Sequence, residues 1–152
     1  MSVALALHVL AVVIWVGGMF FAHMSLRPVA ASVLEPPQRL TLWAGVFGRF
    51  FPMVWGSILA ILASGYWMLL GPFGGFGNAP VFIHIMNGLG IIMILIFIHV
   101  YFAPYQRLRK AVAEQRWPDG AQALAQIRQL VGINMSIGAL TIVIAAGGKY
   151  FL

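Results

Sequence analysis

The sequence predicts an all-α, polytopic membrane protein built as a bundle of four transmembrane helices. Of its 152 residues, 62% are hydrophobic and only 8% are charged, a composition outside the range of soluble domains. The apolar residues also form four runs of about 20, the length that one helix needs to cross a bilayer. We place the spans at about residues 3–24, 50–70, 81–101 and 130–150 of a single domain, residues 1–152.

The first half of the chain predicts two of these spans. No basic residue precedes the first run, unlike a secretory signal, so we expect a retained helix from about Val3 to Met24. A polar stretch with three prolines follows, Arg27 to Gln38, and then an interfacial helix from Arg39 to Arg49. Pro52 suits the first turn of the second span, where a missing backbone N–H costs nothing.

The second half predicts the other two spans. The uncharged, Gly-rich segment Gly71–Pro80 indicates a turn at the level of the lipid headgroups. Pro104 ends the third span. Within the polar stretch Tyr105 to Arg128, Pro118 is typical of a helix start, so we expect the fourth helix to begin there and to enter the membrane near Leu130.

The basic residues predict how the bundle is oriented. All but one of the nine Lys and Arg residues lie in the connections after the first and third spans. Cytoplasmic connections carry an excess of basic residues, so both should be cytoplasmic and both termini should lie on the non-cytoplasmic side. The same clustering explains the net charge of +6 through lipid headgroups, and we assign the lipid bilayer and no nucleic acid as partner.

Four histidines in the apolar runs are the strongest functional signal. His8 and His23 lie fifteen positions apart, as do His84 and His99. Ionisable side chains are costly in hydrocarbon and mark functional sites by default. The first and third helices run in the same direction, so His8 and His84 should share one depth in the bilayer, and His23 and His99 another.

Such pairs predict a cofactor between the helices. Inward side chains of facing helices hold cofactors in small bundles, so His8 with His84 would ligate an outer haem b, and His23 with His99 an inner one. One or two haems would carry electrons across or within the bilayer, with a membrane redox partner or a quinone. If the protein is an enzyme, it would be an oxidoreductase whose cofactor carries the chemistry.

Three other interpretations stay open. Cysteine is absent, which leaves histidine and methionine as soft ligands, so His8, His84, Met86 and Met19 are candidates for transient copper(I) binding in a permease without haem. The histidines would otherwise only hydrogen-bond between helices. An accessory subunit of a larger complex, or a homodimer, is the third interpretation. The three acidic residues all lie in polar connections, which argues against hydrolytic chemistry.

Asparagines, small residues and tryptophans predict how the helices contact one another and the membrane interface. Asn87 and Asn134 should hydrogen-bond between helices, and the small residues Gly56, Ala60 and Ser64 form a stripe that allows close approach. The tryptophans lie mostly near predicted span boundaries, where they would anchor the helices at the membrane interface. These tryptophans are Trp15, Trp43, Trp55 and Trp67.

Two segments carry a resemblance to known families. HVLAVVIWVGGMFF, from His8 to Phe21, resembles the first helix of CopD-like membrane proteins. The segment from Phe82 to Lys110 is similar to the same group and to the related HemJ-type proteins. The CopD resemblance implies copper handling across the bacterial inner (cytoplasmic) membrane. The HemJ resemblance implies haem b binding and protoporphyrinogen oxidation.

Carried over by position, the histidines that match this resemblance are His8, His84 and His99, whereas His23 has no clear counterpart in the HemJ-type pattern. HemJ-type proteins also have a lysine closely following the third-helix histidine. Here the residues after His84 are Ile85, Met86 and Asn87. This departure argues against protoporphyrinogen oxidation and leaves haem binding open.

Overall fold

A computed structural model describes all 152 residues of the protein, and every regular element in it is helical. The first helix passes through a π-helical turn, Ala22–Leu26, directly into the second. A 3₁₀ turn, Phe76–Asn78, lies in the Gly-rich connection. The α-helices are α1 (Ser2–Phe21), α2 (Arg27–Val33), α3 (Pro36–Leu70), α4 (Val81–Phe102), α5 (Pro104–Ala113) and α6 (Trp117–Phe151).

Four continuous helical rods are long and apolar enough to cross a membrane, which confirms the predicted class. Many large apolar side chains point away from the protein, such as Val3 and Leu59, which are 83% and 69% exposed. A soluble protein would not leave so many uncovered, and a bilayer solvates them. The rods are Ser2–Val33, Pro36–Leu70, Val81–Ala113 and Trp117–Phe151.

Most helix ends lie at prolines, as predicted. The stretch from Arg27 to Gln38, which the sequence predicts as a polar connection, is different. The stretch is largely helical, since the first rod continues from the π-helical turn through Pro28 to Val33. The chain breaks only at Leu34, which is extended, and restarts at Pro36. As predicted, the third span ends just before Pro104.

The expected interfacial helix and the second span form one helix, α3, so Pro52 lies inside this helix and not in its first turn. The buried side chains of Leu40, Trp43 and Phe47 explain the extension, because their spacing of three and four residues places them on one buried face. Its 35 residues span about 52 Å, more than the ~30 Å hydrocarbon core. One end of α3 therefore extends beyond the hydrocarbon.

The rods run up and down in sequence. His8 in α1 meets Ser64 near the end of α3, Tyr66 in α3 meets Asn87 near the start of α4, and Met93 in α4 meets Asn134 in α6. One end of the bundle, the terminal end, thus holds both termini and residues 71–80. The other, the basic end, holds residues 22–49 and 103–129 and all but one of the Lys and Arg residues.

The core is aromatic in its middle and towards the basic end. Phe51 lies at its centre, with its ring centroid 4.9 Å from those of Phe47 and Tyr105 and 5.4 Å from that of Phe97. Trp15 and Trp43 are only 3% and 5% exposed, so they are core residues and not interfacial anchors. Trp67, at 54% exposure, stands where an anchor should.

Candidate functional site

The four histidines occupy four different environments. His8 is half-buried and lies between α1 and α3, and His23 is half-buried in the π-helical turn beside α6. His84 and His99 are exposed on α4. The ring centroid of His84 lies 6.1 Å from that of Phe76 in the Gly-rich connection.

Neither predicted histidine pair lines a common cavity. His8 lines a cavity at the terminal end that His84 does not line, and His23 lines one at the basic end that His99 does not line. The helix α4 does line the cavity at the terminal end, with Ile83, Met86 and Asn87, but His84 points elsewhere and is exposed, and no residue of α4 lines the cavity at the basic end. No three His, Cys, Asp or Glu side chains lie together as a metal-binding group. The role of the four histidines as ligands stays a prediction.

His8 makes the most specific polar contact of the four. Its Nδ1 lies 3.0 Å from the Ser64 Oγ, and the Ser64 hydroxyl donates its own hydrogen to the carbonyl oxygen of Ala60. Because a serine hydroxyl has one hydrogen, its oxygen accepts from His8 Nδ1–H. We assign this tautomer from the hydrogen bonds. It leaves the lone pair on Nε2 of His8 free to bind a metal.

A glycine makes room for each histidine of the first rod. A Cβ added to Gly65 would lie 3.1 Å from Cε1 of His8, and one added to Gly132 would lie 3.0 Å from Cε1 of His23. Two carbons in ordinary contact are farther apart, at about 3.5–4.0 Å. The two imidazoles therefore rest directly on the backbones of α3 and α6.

The terminal-end cavity lies between α1, α3, α4 and α6 and has a volume of ≈ 120 Å³. Its wall is mostly apolar and contains the His8 imidazole and the thioether side chains of Met86 and Met93. Tyr66 and Asn87 also line it, and the Tyr66 hydroxyl donates to Asn87 Oδ1 at 2.9 Å. Imidazole with thioethers is a donor set that suits soft copper(I).

A second cavity, the basic-end cavity, has a volume of ≈ 180 Å³ and lies between the first rod, α3 and α6. Its wall combines apolar side chains with His23 and three arginines, Arg27, Arg39 and Arg128. No thioether lines it. A cation meets three positive charges here, so copper is better suited to the terminal-end cavity.

Haem b gains no support from these volumes. Pockets that enclose a drug-sized ligand usually measure about 300–1,000 Å³, and the two cavities that contain histidines deep in the bundle measure ≈ 120 and ≈ 180 Å³. His23 also lines a larger space of ≈ 940 Å³, but this is an open groove along α6 that no second histidine lines. A macrocycle between His8 and His84 would also need both side chains on one cavity, and only His8 lies there.

Sequence reasoning missed two residues of the terminal-end site. Ser64 fits the stripe of small packing residues in the sequence, although a hydroxyl in an apolar helix also signals a polar partner on another helix. Met93 gave no signal, because methionine commonly fills cores and nothing in its spacing sets it apart. Asn87 and Asn134 do bond between helices, as predicted: Asn134 Nδ2 donates to the Met93 carbonyl oxygen at 3.2 Å.

The chain is similar to one family of known proteins. A family model described as copper resistance protein D, CopD, matches residues 44–147, more than half of the chain. The chain belongs to the CopD family. No curated protein and no solved structure matches it. The CopD match covers Ser64, Met86 and Met93 and begins after α1, so it does not cover His8.

This finding confirms the resemblance to CopD-like proteins and makes the chain a copper-resistance-related, multi-pass membrane protein. It favours the copper alternative over haem b among the sequence-based hypotheses. The HemJ resemblance is compatible with the match and is not shown by it.

Proposed function

We propose that this CopD-family protein binds copper(I) as cargo in the terminal-end cavity and hands it on across or into the membrane. The observation that carries the proposal is the donor set of that cavity. His8 presents a free Nε2 in the same cavity as the thioethers of Met86 and Met93.

The proposed ligands differ in part from those that the sequence suggested. Met19 is buried in the core and lines a separate small cavity of ≈ 20 Å³, away from His8. His84 is exposed at the same end of the bundle as His8. We assign His84 to the outer surface, as a first contact for copper, and His8, Met86 and Met93 to the cavity.

The charges favour passing copper on over storing it. An imidazole and two thioethers are neutral, and no acidic side chain lines the cavity. Bound copper(I) would keep its positive charge inside an apolar bundle, which is costly. Such binding should be weak enough for release, as a carrier requires and a storage protein does not.

The test is a copper(I) titration of the detergent-purified protein under reducing conditions, with a competing chromophoric chelator. His8→Ala should lower the copper(I) affinity by more than about tenfold to a hundredfold, the loss that removal of an outer-shell partner alone causes. His99→Ala is the matched control, because His99 is exposed on α4 and lines neither cavity.

A matched pair of methionines tests the thioethers in the same assay. Met86→Leu should weaken binding, whereas Met53→Leu should not, since Met53 is exposed on α3 and lines neither cavity. Unchanged affinity in both His8→Ala and Met86→Leu would remove the terminal-end cavity as the site. Copper(I) binding that His99→Ala weakens equally would point to dispersed surface ligands.

The haem b electron-transfer hypothesis rests on the four histidines alone and is tested on the same preparation. A reduced-minus-oxidised visible spectrum with a sharp low-spin b-type band, lost in His84→Ala, would support it. A colourless protein purified from haem-replete cells would remove it.

A further inference from the structure

We propose that the basic-end cavity binds an anionic phospholipid and holds its phosphate among Arg27, Arg39 and Arg128. The inference does not depend on copper, because the two cavities lie at opposite ends of the bundle and share no lining residue.

The charge of the cavity requires an anion. Three guanidinium groups line it together with His23, and no acidic side chain does. Two of the three acids of the chain are engaged elsewhere, since Glu114 and Asp119 pair with Arg116 at 2.7 and 2.8 Å. Like charges that face one another without a counter-ion repel, so a phosphate would stabilise the cluster.

The donors are already positioned, and several lack an acceptor. Arg39 Nη2 donates to the carbonyl oxygens of Ala31 and Leu34 at the end of α2, at 3.3 and 3.0 Å, which fixes the guanidinium. Its Nε is buried and has no partner. Arg27 uses only its Nε, which donates to the His23 carbonyl oxygen at 3.2 Å. A buried donor without an acceptor is costly, and a phosphate oxygen would supply one.

The shape favours a lipid over a free ion. The cavity adjoins an open groove along α6, and both are lined by His23, Arg27 and Arg128. The groove is polar near the basic end and contains more apolar side chains towards the middle of the bundle. Its α6 residues are, in this order, Gln122, Ala125, Gln126, Arg128, Gln129, Gly132, Ile133, Met135, Ser136 and Ile137.

The length of the groove and the depth of the arginines in the membrane agree with a bound phospholipid. From Gln122 to Ile137 the helix rises about 22 Å, more than the ~15 Å depth of one hydrocarbon leaflet. The apolar run of the first rod ends at Met24, directly before Arg27, which is where headgroup phosphates lie. Basic pockets between transmembrane helices commonly bind anionic headgroups.

The experiment is native mass spectrometry of the full-length protein in a non-ionic detergent, titrated separately with phosphatidylglycerol, phosphatidylcholine and inorganic phosphate. Arg128→Gln is the test variant, since Arg128 is exposed and lines the cavity. Arg49→Gln is the matched control, because Arg49 lies at the same end, is exposed and lines neither cavity.

We expect phosphatidylglycerol to bind at least about tenfold more tightly than phosphatidylcholine. Arg128→Gln should lower the phosphatidylglycerol affinity about tenfold, the size of one lost hydrogen bond to a charged group. Arg49→Gln should change it less than about twofold, as expected for a distant exposed charge. Arg128→Gln should also keep the thermal unfolding midpoint of the unmodified protein, which shows that it is folded.

Three results would overturn the proposal. Equal binding of the two lipids would mean that the arginines do not select an anionic headgroup. An equal loss in Arg49→Gln and Arg128→Gln would mean that the effect is net charge and not this cavity. Displacement of phosphatidylglycerol by inorganic phosphate at a similar concentration would assign the cavity to a soluble anion.

Discussion

At the scale of single residues, the free nitrogen of His8 depends on Ser64. The Ser64 oxygen accepts from His8 Nδ1 at 3.0 Å and its hydroxyl donates to Ala60 of the same helix. Partners of this kind orient metal ligands and fix their tautomers. Ser64 is therefore a positioning residue for the proposed copper site.

The first prediction concerns this hydrogen bond. Ser64→Ala should lower the copper(I) affinity about tenfold, because His8 is then free to rotate and to change tautomer. Ser136→Ala is the control, since the Ser136 hydroxyl bonds only to the Gly132 carbonyl oxygen of its own helix. The chelator competition assay measures both. Equal affinities in the two variants would show that Ser64 does not position the ligand.

Gly65 lies next to Ser64 and beneath the His8 ring, so its lack of a side chain leaves room for the imidazole. Gly65→Ala would press its Cβ against the imidazole, whereas Gly56→Ala would meet no neighbouring atom. In a helix, alanine is favoured over glycine by about 0.8–1.0 kcal/mol. We expect Gly56→Ala to gain thermal stability and Gly65→Ala to lose copper(I) affinity. A Gly65→Ala variant with unchanged affinity would contradict the direct contact.

At the scale of helices, Gly138 sets how closely α6 approaches its neighbours. A Cβ there would lie 2.9 Å from Cγ2 of Val16 in α1 and 3.1 Å from Cε of Met93 in α4. Close approach through small residues is a main source of helix association in membranes. Gly138 therefore brings α1, α4 and α6 together around the terminal-end cavity.

We predict that Gly138→Ala lowers the midpoint of thermal unfolding in detergent and displaces Met93. Overpacking of this kind costs about 1–3 kcal/mol. Gly88→Ala is the control, because nothing lies within 4 Å of an added Cβ there. An unfolding midpoint for Gly138→Ala equal to that of Gly88→Ala would show that α6 does not approach so closely in the membrane.

The two histidines of the first rod contact different helices, and the second of them lies in the π-helical turn. His8 meets Ser64 and Gly65 of α3, but His23 meets Gly132 of α6. Fifteen residues at about 100° each leave His23 about 60° around the rod from His8, and the π turn that contains His23 changes the direction of the side chains after it. The two histidines of the first rod thus serve different helix contacts and different cavities.

At the scale of the whole molecule, aromatic side chains separate the two cavities. Trp15 lines the terminal-end cavity, Phe47 lines the basic-end cavity, and both line the ≈ 20 Å³ hollow between them. The ring centroids of Trp15 and Phe97 lie 6.2 Å apart. Copper that crosses the bundle as proposed would require these rings to move.

Orientation is also a property of the whole molecule, and it stays a prediction from the basic residues. The absence of cysteine makes it simple to test with single-cysteine variants and an impermeant maleimide on intact cells. Ser2→Cys and Gly77→Cys should react from outside, and Gln115→Cys only after the cells are opened. The reverse pattern would place the basic end outside and the proposed lipid in the other leaflet.

The sequence by itself determined the class of this protein, the number of its spans and several helix ends. Each of these depends on local quantities: the transfer of about 20 apolar residues into lipid, and the hydrogen bond that a proline cannot donate. Pro104 and Pro118 therefore marked boundaries correctly, and the two quoted segments indicated the CopD family.

Only the tertiary structure decided which side chains meet. Matched spacing placed His8 with His84, yet His8 lies with Ser64, Met86 and Met93, because helix packing sets the direction of each side chain. Likewise, three arginines far apart in sequence line one cavity. Depth in the membrane follows from counting residues, but direction around a helix follows from what that helix packs against.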